Sequence, residues 1–190
     1  MCVCRDVFPS SRLLFMYRDV VATAKSYYRM SMTRPFFRLI MLLGYFSGNM
    51  TKMIVDASGF NGSEYRVRID DDLTFGVLMS GMFRSGYLDL RRRGFDVSAV
   101  RYEDLVARPL DMCRVVLEFC HLPVSLAELA VKAFDVDSQR KSTMAKSVIG
   151  HFKGPELTPQ RRNKLNVLLK KFGVPLIGEP QIMEGTLSCC

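Results

Sequence analysis

Arg12-Leu13-Leu14-Phe15-Met16-Tyr17 is a short, almost continuously apolar run that gives way at once to Arg18-Asp19 and to a helical pattern with Val20, Ala24, Tyr27 and Tyr28 on one side. An apolar run without alternation predicts a buried strand, and the change of period predicts a helix behind it with Asp19 as N-cap. Arg34-Pro35 breaks that helix, and residues 36–46 read as a buried or lid-like helix ending near Gly48. Residues 56–72, with Ser58-Gly59, Asn61-Gly62-Ser63 and three consecutive aspartates, carry turn chemistry and predict a mobile surface loop. Asp71 or Asp72 caps the next helix, in which Phe75, Leu78, Met79 and Met82 follow the i, i+3, i+4, i+7 template up to Arg91-Arg92-Arg93-Gly94. Cations complement the negative end of a helix dipole and Gly94 suits the C′ position, so a solvated helix end is preferred there over a ligand-binding patch.

A second strand is predicted over residues 97–102, with Glu103-Asp104 at its C-terminal end and an amphipathic helix over residues 109–119 after it. Residues 125–134 are helical in pattern, and Thr158-Pro159 supplies an N-cap and N1 pair for a helix over residues 160–172. A basic, Ser/Gly-containing linker, residues 137–154, separates them. Strands followed directly by helices argue for α/β architecture with parallel pairing, a short sheet and a mostly helical C-terminal part. A doubly wound sheet takes more strands than these two, so either a strand is hidden in residues 52–56 or part of the sheet is absent.

Composition narrows the classes. The chain has 190 residues, 48% of them hydrophobic, and a formal net charge of +8, which excludes disorder and fibrous repeats and predicts one core, or one core with a subdomain. The cationic bias points to an anionic ligand, an acidic substrate, nucleic acid or a membrane surface without choosing among them. No run reaches the roughly 18 to 20 apolar residues of a membrane span, and the N-terminus lacks the pattern of a secretion signal. Of the six cysteines, Cys2, Cys4, Cys189 and Cys190 crowd the termini. Their spacing, with only His121 and His151 to complete a set, does not suit zinc. Cys113 and Cys120 read as buried free thiols in a helical pattern. The chain lacks the zinc spacing, aromatic strand and recognition-helix pattern of a nucleic-acid binder.

Candidate chemistry collects where helix N-termini face the C-terminal ends of parallel strands. Arg18 closes the first strand there, Glu103-Asp104 follow the second, and Ser26 lies eight residues beyond Arg18 on the intervening helix with Ala22 one turn before it. An arginine fork and a hydroxyl at that spacing suit one phosphate, with the small Ala22 leaving room for it. The same residues are equally consistent with an ion pair of Arg18 to Asp19 or Glu103 and a Ser26 that is merely tolerated.

The segment from Leu14 to Arg29, Leu-Phe-Met-Tyr-Arg-Asp-Val-Val-Ala-Thr-Ala-Lys-Ser-Tyr-Tyr-Arg, resembles the 3′-phosphate-binding motif of sulfotransferases that use 3′-phosphoadenylyl sulfate (PAPS), with Val20 where proline is frequent. Val100-Arg101-Tyr102-Glu103-Asp104-Leu105, then Arg108-Pro109 and Leu117-Glu118-Phe119-Cys120-His121-Leu122-Pro123, is similar to that family's R-Y-E-D-L block and the helix after it, which ends in F-L-G-L-P. The resemblance runs from about Leu13 to Gly173. It implies a P-loop-like three-layer α/β domain in which Arg18 and Ser26 hold the 3′-phosphate and Tyr102 lies near the adenine or packs structurally. It also implies that Arg140-Lys141 touch the same phosphate, although Ser142 stands where the family has glycine and the later Gly-Asp-Trp is missing.

By this resemblance the donor is PAPS, the product adenosine 3′,5′-bisphosphate, and the activity transfer of a sulfuryl group to a hydroxyl or amine acceptor, carbohydrates included. The Gly/Ser/Thr/Lys-rich loop for the 5′-phosphosulfate does not fit in the 17 residues before Arg18, and the family's upstream catalytic His or Glu has no counterpart. The expectation is therefore a partial domain over residues 12–173, with residues 1–11 as lead-in and 174–190 as tail, that by itself does not turn over PAPS. An exposed sheet edge would favour pairing with another chain, as in a homo-oligomer. The alternative is a non-catalytic nucleotide-binding remnant or partner subunit. The R-Y-E-D-L spelling leans toward the Golgi or carbohydrate branch, whose compartment would be the Golgi lumen, against cytoplasm for the other branch.

Overall fold

The computed structural model describes residues 12–33, 39, 52, 56, 72–135 and 154–189. The chain divides into two compact units, one of Met1–Arg18, Tyr87–Val136 and Ile182–Cys190, the other of Asp19–Gly86 and Asp137–Gln181. The architecture is α/β and mostly helical, with a short parallel sheet. Among the described residues, no helix is long and apolar enough to cross a membrane.

In the first unit, β1 (Leu13–Tyr17) and β2 (Val97–Arg101) pair in parallel, from Leu13 opposite Val97 to Tyr17 opposite Arg101. On its other side β2 meets the C-terminal segment: Ala99 N donates to Gly185 O at 3.0 Å and Leu187 N donates to Ala99 O at 2.8 Å, a parallel bridge. Alternate side chains then build a core on each face. Tyr17, Val97 and Ala99 join Tyr87 and Met183 on one face, with Phe15 stacked on Tyr87 at 5.0 Å. Val100 joins Leu105, Met112, Cys113 and Ala127 on the other, with Leu14 packed against them. The buried strand expected at residues 12–17 is only partly buried: Leu13 and Met16 are exposed. Among the described residues β1 has a neighbour on one side only, whereas β2 lies between two.

The Tyr17 hydroxyl fastens the end of β1, accepting from Met183 N at 3.2 Å and bonding Thr186 Oγ1 at 2.9 Å. The C-terminal segment is thus part of the first unit's core.

β2 stops one residue before the sequence pattern suggests, because Tyr102 opens a short helix, α3 (Tyr102–Ala107), which runs into α4 (Pro109–Phe119) with proline at N1. Residues 124–135 form two 3₁₀ turns around a short helix, α5 (Ala127–Lys132).

In the second unit, α1 (Val20–Thr33) starts at Asp19, whose Oδ1 accepts from Ala22 N at 2.8 Å, the expected N-cap bond. Val20 and Ala24 are fully buried. The next helix, α2 (Asp72–Arg92), brings Gly76 against α1: a Cβ there would run into the Ala24 backbone. Tyr27 meets Phe75 edge-on at 5.7 Å. α6 (Pro159–Phe172) begins on Thr158, whose hydroxyl accepts from Arg161 N, and lays Phe172 over Gly81 of α2. Residues 174–181 fold back on α6, with Asn166 exchanging two hydrogen bonds with Ile177. The buried Arg84 donates from Nη1 to Gln181 Oε1 at 2.7 Å.

Lys52 and Asp56 are helical and joined across one turn at 2.6 Å, so the strand considered for residues 52–56 is not supported at its two ends. The lead-in 1–11, the bulk of the helix expected at 36–46, residues 57–71 of the expected loop, most of the basic linker, and Arg140 and Lys141 lie outside the described residues.

Three helices end in the same way. Gly94 N donates to Arg91 O and Phe95 N to Leu90 O after α2, and Gly173 and Val174 repeat the pattern after α6, with both glycines at positive φ. After α4 the corresponding bonds run from His121 N to Glu118 O and from Leu122 N to Leu117 O, so His121, at φ 57°, occupies the left-handed position. It stands where the similar family motif has glycine. Arg12, just before β1, caps the same helix end, donating from Nη1 to Phe119 O at 2.9 Å.

A left-handed residue with a Cβ costs about 1–2 kcal/mol and glycine's extra chain entropy about 0.5–1 kcal/mol, so His121→Gly is expected to stabilise the chain by up to about 1 kcal/mol. Urea denaturation checks this through the midpoint; an unchanged or lower midpoint counts against it.

Candidate functional site

Because Tyr17 and Arg101 are the last paired rung, the chain leaves both strands at the same level, and Arg18 and Tyr102 emerge side by side. The Arg18 guanidinium carbon lies 4.9 Å from the centroid of the Tyr102 ring, a cation–π contact. Glu103, in the first turn of α3, stands between two arginines. Its Oε1 is 3.9 Å from Arg18 Nε, and its Oε2 is 3.5 Å from Arg101 Nε. Asp104 takes the other end of Arg101, Oδ1 to Nη1, at 3.6 Å.

These contacts differ in kind. Arg101 Nε and Glu103 Oε2 are both shielded from solvent and face one another just outside hydrogen-bond geometry. The Arg18 side chain is 48% exposed, and its contact with Glu103 is the longest of the three. Two guanidinium groups and two carboxylates sum to a formal charge of zero. Glu103 and Asp104 thus lie in the first turn of α3, where their charges offset a partly buried arginine.

Of the residues singled out from the sequence, Arg18 and Tyr102 come together here, with Glu103 and Asp104. Ser26 is a half-buried residue of α1 in the second unit, so the Arg18/Ser26 pair is divided between the units. Arg101 was read only as part of the R-Y-E-D-L block, and the folded chain shows that it shares Glu103 with Arg18.

The arginine run at the end of α2 takes no part. Arg91 turns inward at the opposite end of β2, donating from Nη1 to Val97 O at 2.8 Å, with Nη2 3.5 Å from Glu184. Arg93 pairs with Asp89 and lies over Phe95, while Arg92 is exposed. Only part of this helix end is solvated, then, and its innermost arginine ties helix, strand and C-terminal segment together.

Cys113 is buried, which pushes its thiol above the usual range, and Cys120 is half-buried. Cys189 Sγ rests 3.6 Å from Met112 Sδ. Among the described residues, no three His, Cys, Asp or Glu side chains converge as metal ligands. Comparison of the chain with protein-family models, curated proteins and solved structures gives no match.

Asp104→Asn should lower stability by about 1 kcal/mol, between the ~0–1 kcal/mol of an exposed pair and the ~3–5 kcal/mol of breaking a buried one, since these groups are roughly one-third exposed. Thermal melting beside nucleotide titration tests the structural role. Unchanged melting with abolished binding would make Asp104 a ligand-facing group instead.

Proposed function

We propose that the chain carries the 3′-phosphate grip of a P-loop-like sulfotransferase domain, which transfers a sulfuryl group from PAPS to a hydroxyl or amine acceptor, carbohydrates among them. The observation that supports this reading is Arg18, half-exposed at the C-terminal end of a parallel strand pair and braced on the tyrosine of the R-Y-E-D-L block. The two sequence blocks that resemble the family, far apart along the chain, supply neighbouring residues at one sheet end.

In this proposal Arg18 donates to the phosphate through a charge-assisted fork, and Ser26 belongs to the proposal through the sequence resemblance alone. Both position the nucleotide, so that the sulfur faces its acceptor; neither breaks a bond. One face of the Tyr102 ring is occupied by Arg18, which favours bracing the arginine over stacking adenine on that face. Arg140 and Lys141 belong to the proposal through the sequence resemblance alone.

A second reading is a nucleotide-binding chain or partner subunit without turnover of its own, favoured by a cluster at the sheet end that offers binding groups, two arginines against two carboxylates and an aromatic ring.

Arg18→Ala is expected to weaken adenosine 3′,5′-bisphosphate binding by about 1.5–3 kcal/mol, the range for hydrogen bonds to charged groups, measured by titration calorimetry. Equal affinity in both proteins would refute the grip. An assay of the same protein with labelled PAPS and phenolic, steroid and glycan acceptors separates the two readings: turnover of about 1 s⁻¹ or more supports the sulfotransferase, and nucleotide binding without transfer supports the second reading.

A further inference from the structure

We infer that Glu103 is a built-in competitor for Arg18: a carboxylate that neutralises the arginine while the site is empty and that an incoming phosphate must displace. This rests on the reading of Arg18 as a phosphate ligand and adds a residue that sets how strongly the site holds anions.

Three observations carry it. Glu103 lies directly against the group proposed to bind phosphate, with Oε1 3.9 Å from Arg18 Nε. Its other oxygen faces Arg101 Nε at 3.5 Å, both atoms away from solvent, and Asp104 stands at the far end of Arg101 at 3.6 Å. Arg18, in contrast, is half-exposed and lies over the Tyr102 ring. In the inference, Glu103 stays with Arg101 when an anion arrives while the more exposed Arg18 turns to the ligand.

The charges fix the direction of the effect. Arg18 and Arg101 face Glu103 and Asp104, so these four groups together carry no net charge. A retained carboxylate also repels the anion that replaces it on Arg18. Two unit charges about 4 Å apart interact by about 1 kcal/mol in water and more near a protein surface. Removing the Glu103 charge should thus strengthen phosphate binding, and more for a dianion than for a monoanion. A residue that only positioned Arg18 would give the opposite sign, and a purely structural one would change melting without changing affinity.

Calorimetric titration of the 190-residue chain with adenosine 3′,5′-bisphosphate is the test, with adenosine 5′-monophosphate as the ligand lacking the 3′-phosphate. Glu103→Gln should tighten the bisphosphate about three- to tenfold at low salt, with less gain at high salt, by the Coulomb estimate and its screening. The monophosphate should change less than twofold, and in the Arg18→Ala background the gain should vanish, since the two residues act through one contact. Weaker or unchanged bisphosphate binding in Glu103→Gln overturns the inference, as does an equal gain for both nucleotides. If the wild-type affinity does not depend on Arg18, the phosphate reading itself falls and the inference with it. Should Glu103→Gln fail to fold, Glu103→Asp, which draws the carboxylate back from Arg18, must still shift bisphosphate binding in the same direction; an unchanged or weaker affinity again overturns it.

Discussion

The register of one short parallel strand pair governs the first unit. With Tyr17 opposite Arg101, the residues that follow, Arg18 and Tyr102, leave the sheet together, and Glu103 falls between the two arginines. A slip of one residue would exchange the two faces of β1, sending Tyr17 away from Met183 and Thr186 and Leu14 out of the opposite core. The Tyr17 hydroxyl guards that register. It binds Met183 N and Thr186 Oγ1 on the C-terminal segment, which itself bridges to Ala99 at the centre of β2. Core packing and the geometry of the charged cluster are thus consequences of the same pairing.

Three arginines of this unit serve different purposes, two of them mostly buried and one half-exposed. Arg91 ties the end of α2 to Val97 and Glu184. Arg101 gives up much of its hydration and is balanced by two carboxylates. Arg18 keeps half of its side chain in water and leans on an aromatic face. The formal net charge of +8 therefore says little about this site, where cations and carboxylates cancel. Its proposed affinity for a phosphate depends on which arginine can change partners, and Arg18 is the most exposed of the three.

Local signals in the sequence were the most legible. The unalternating apolar run at β1, the capping aspartate before α1, Thr158-Pro159 before α6 and Gly94 after α2 each act over a few residues, and each appears where it was read. Long-range features were not. Nothing local shows that residues 182–189 return to flank β2, that Tyr102 starts a helix instead of ending a strand, or that Arg91 turns inward while Arg92 does not. His121 illustrates the difference: its sequence position matches a motif glycine, but its left-handed backbone follows from the hydrogen bonds that close α4. The Arg18–Tyr102 contact was not read from the sequence, because it depends on a register set by residues far apart in the chain.

A crystal structure of the chain bound to adenosine 3′,5′-bisphosphate tests the phosphate grip most directly. The expected result is a 3′-phosphate within hydrogen-bond distance of the Arg18 guanidinium at the C-terminal end of β1, with Glu103 still against Arg101. A nucleotide bound elsewhere, with Arg18 still on Glu103 and Tyr102, would contradict it.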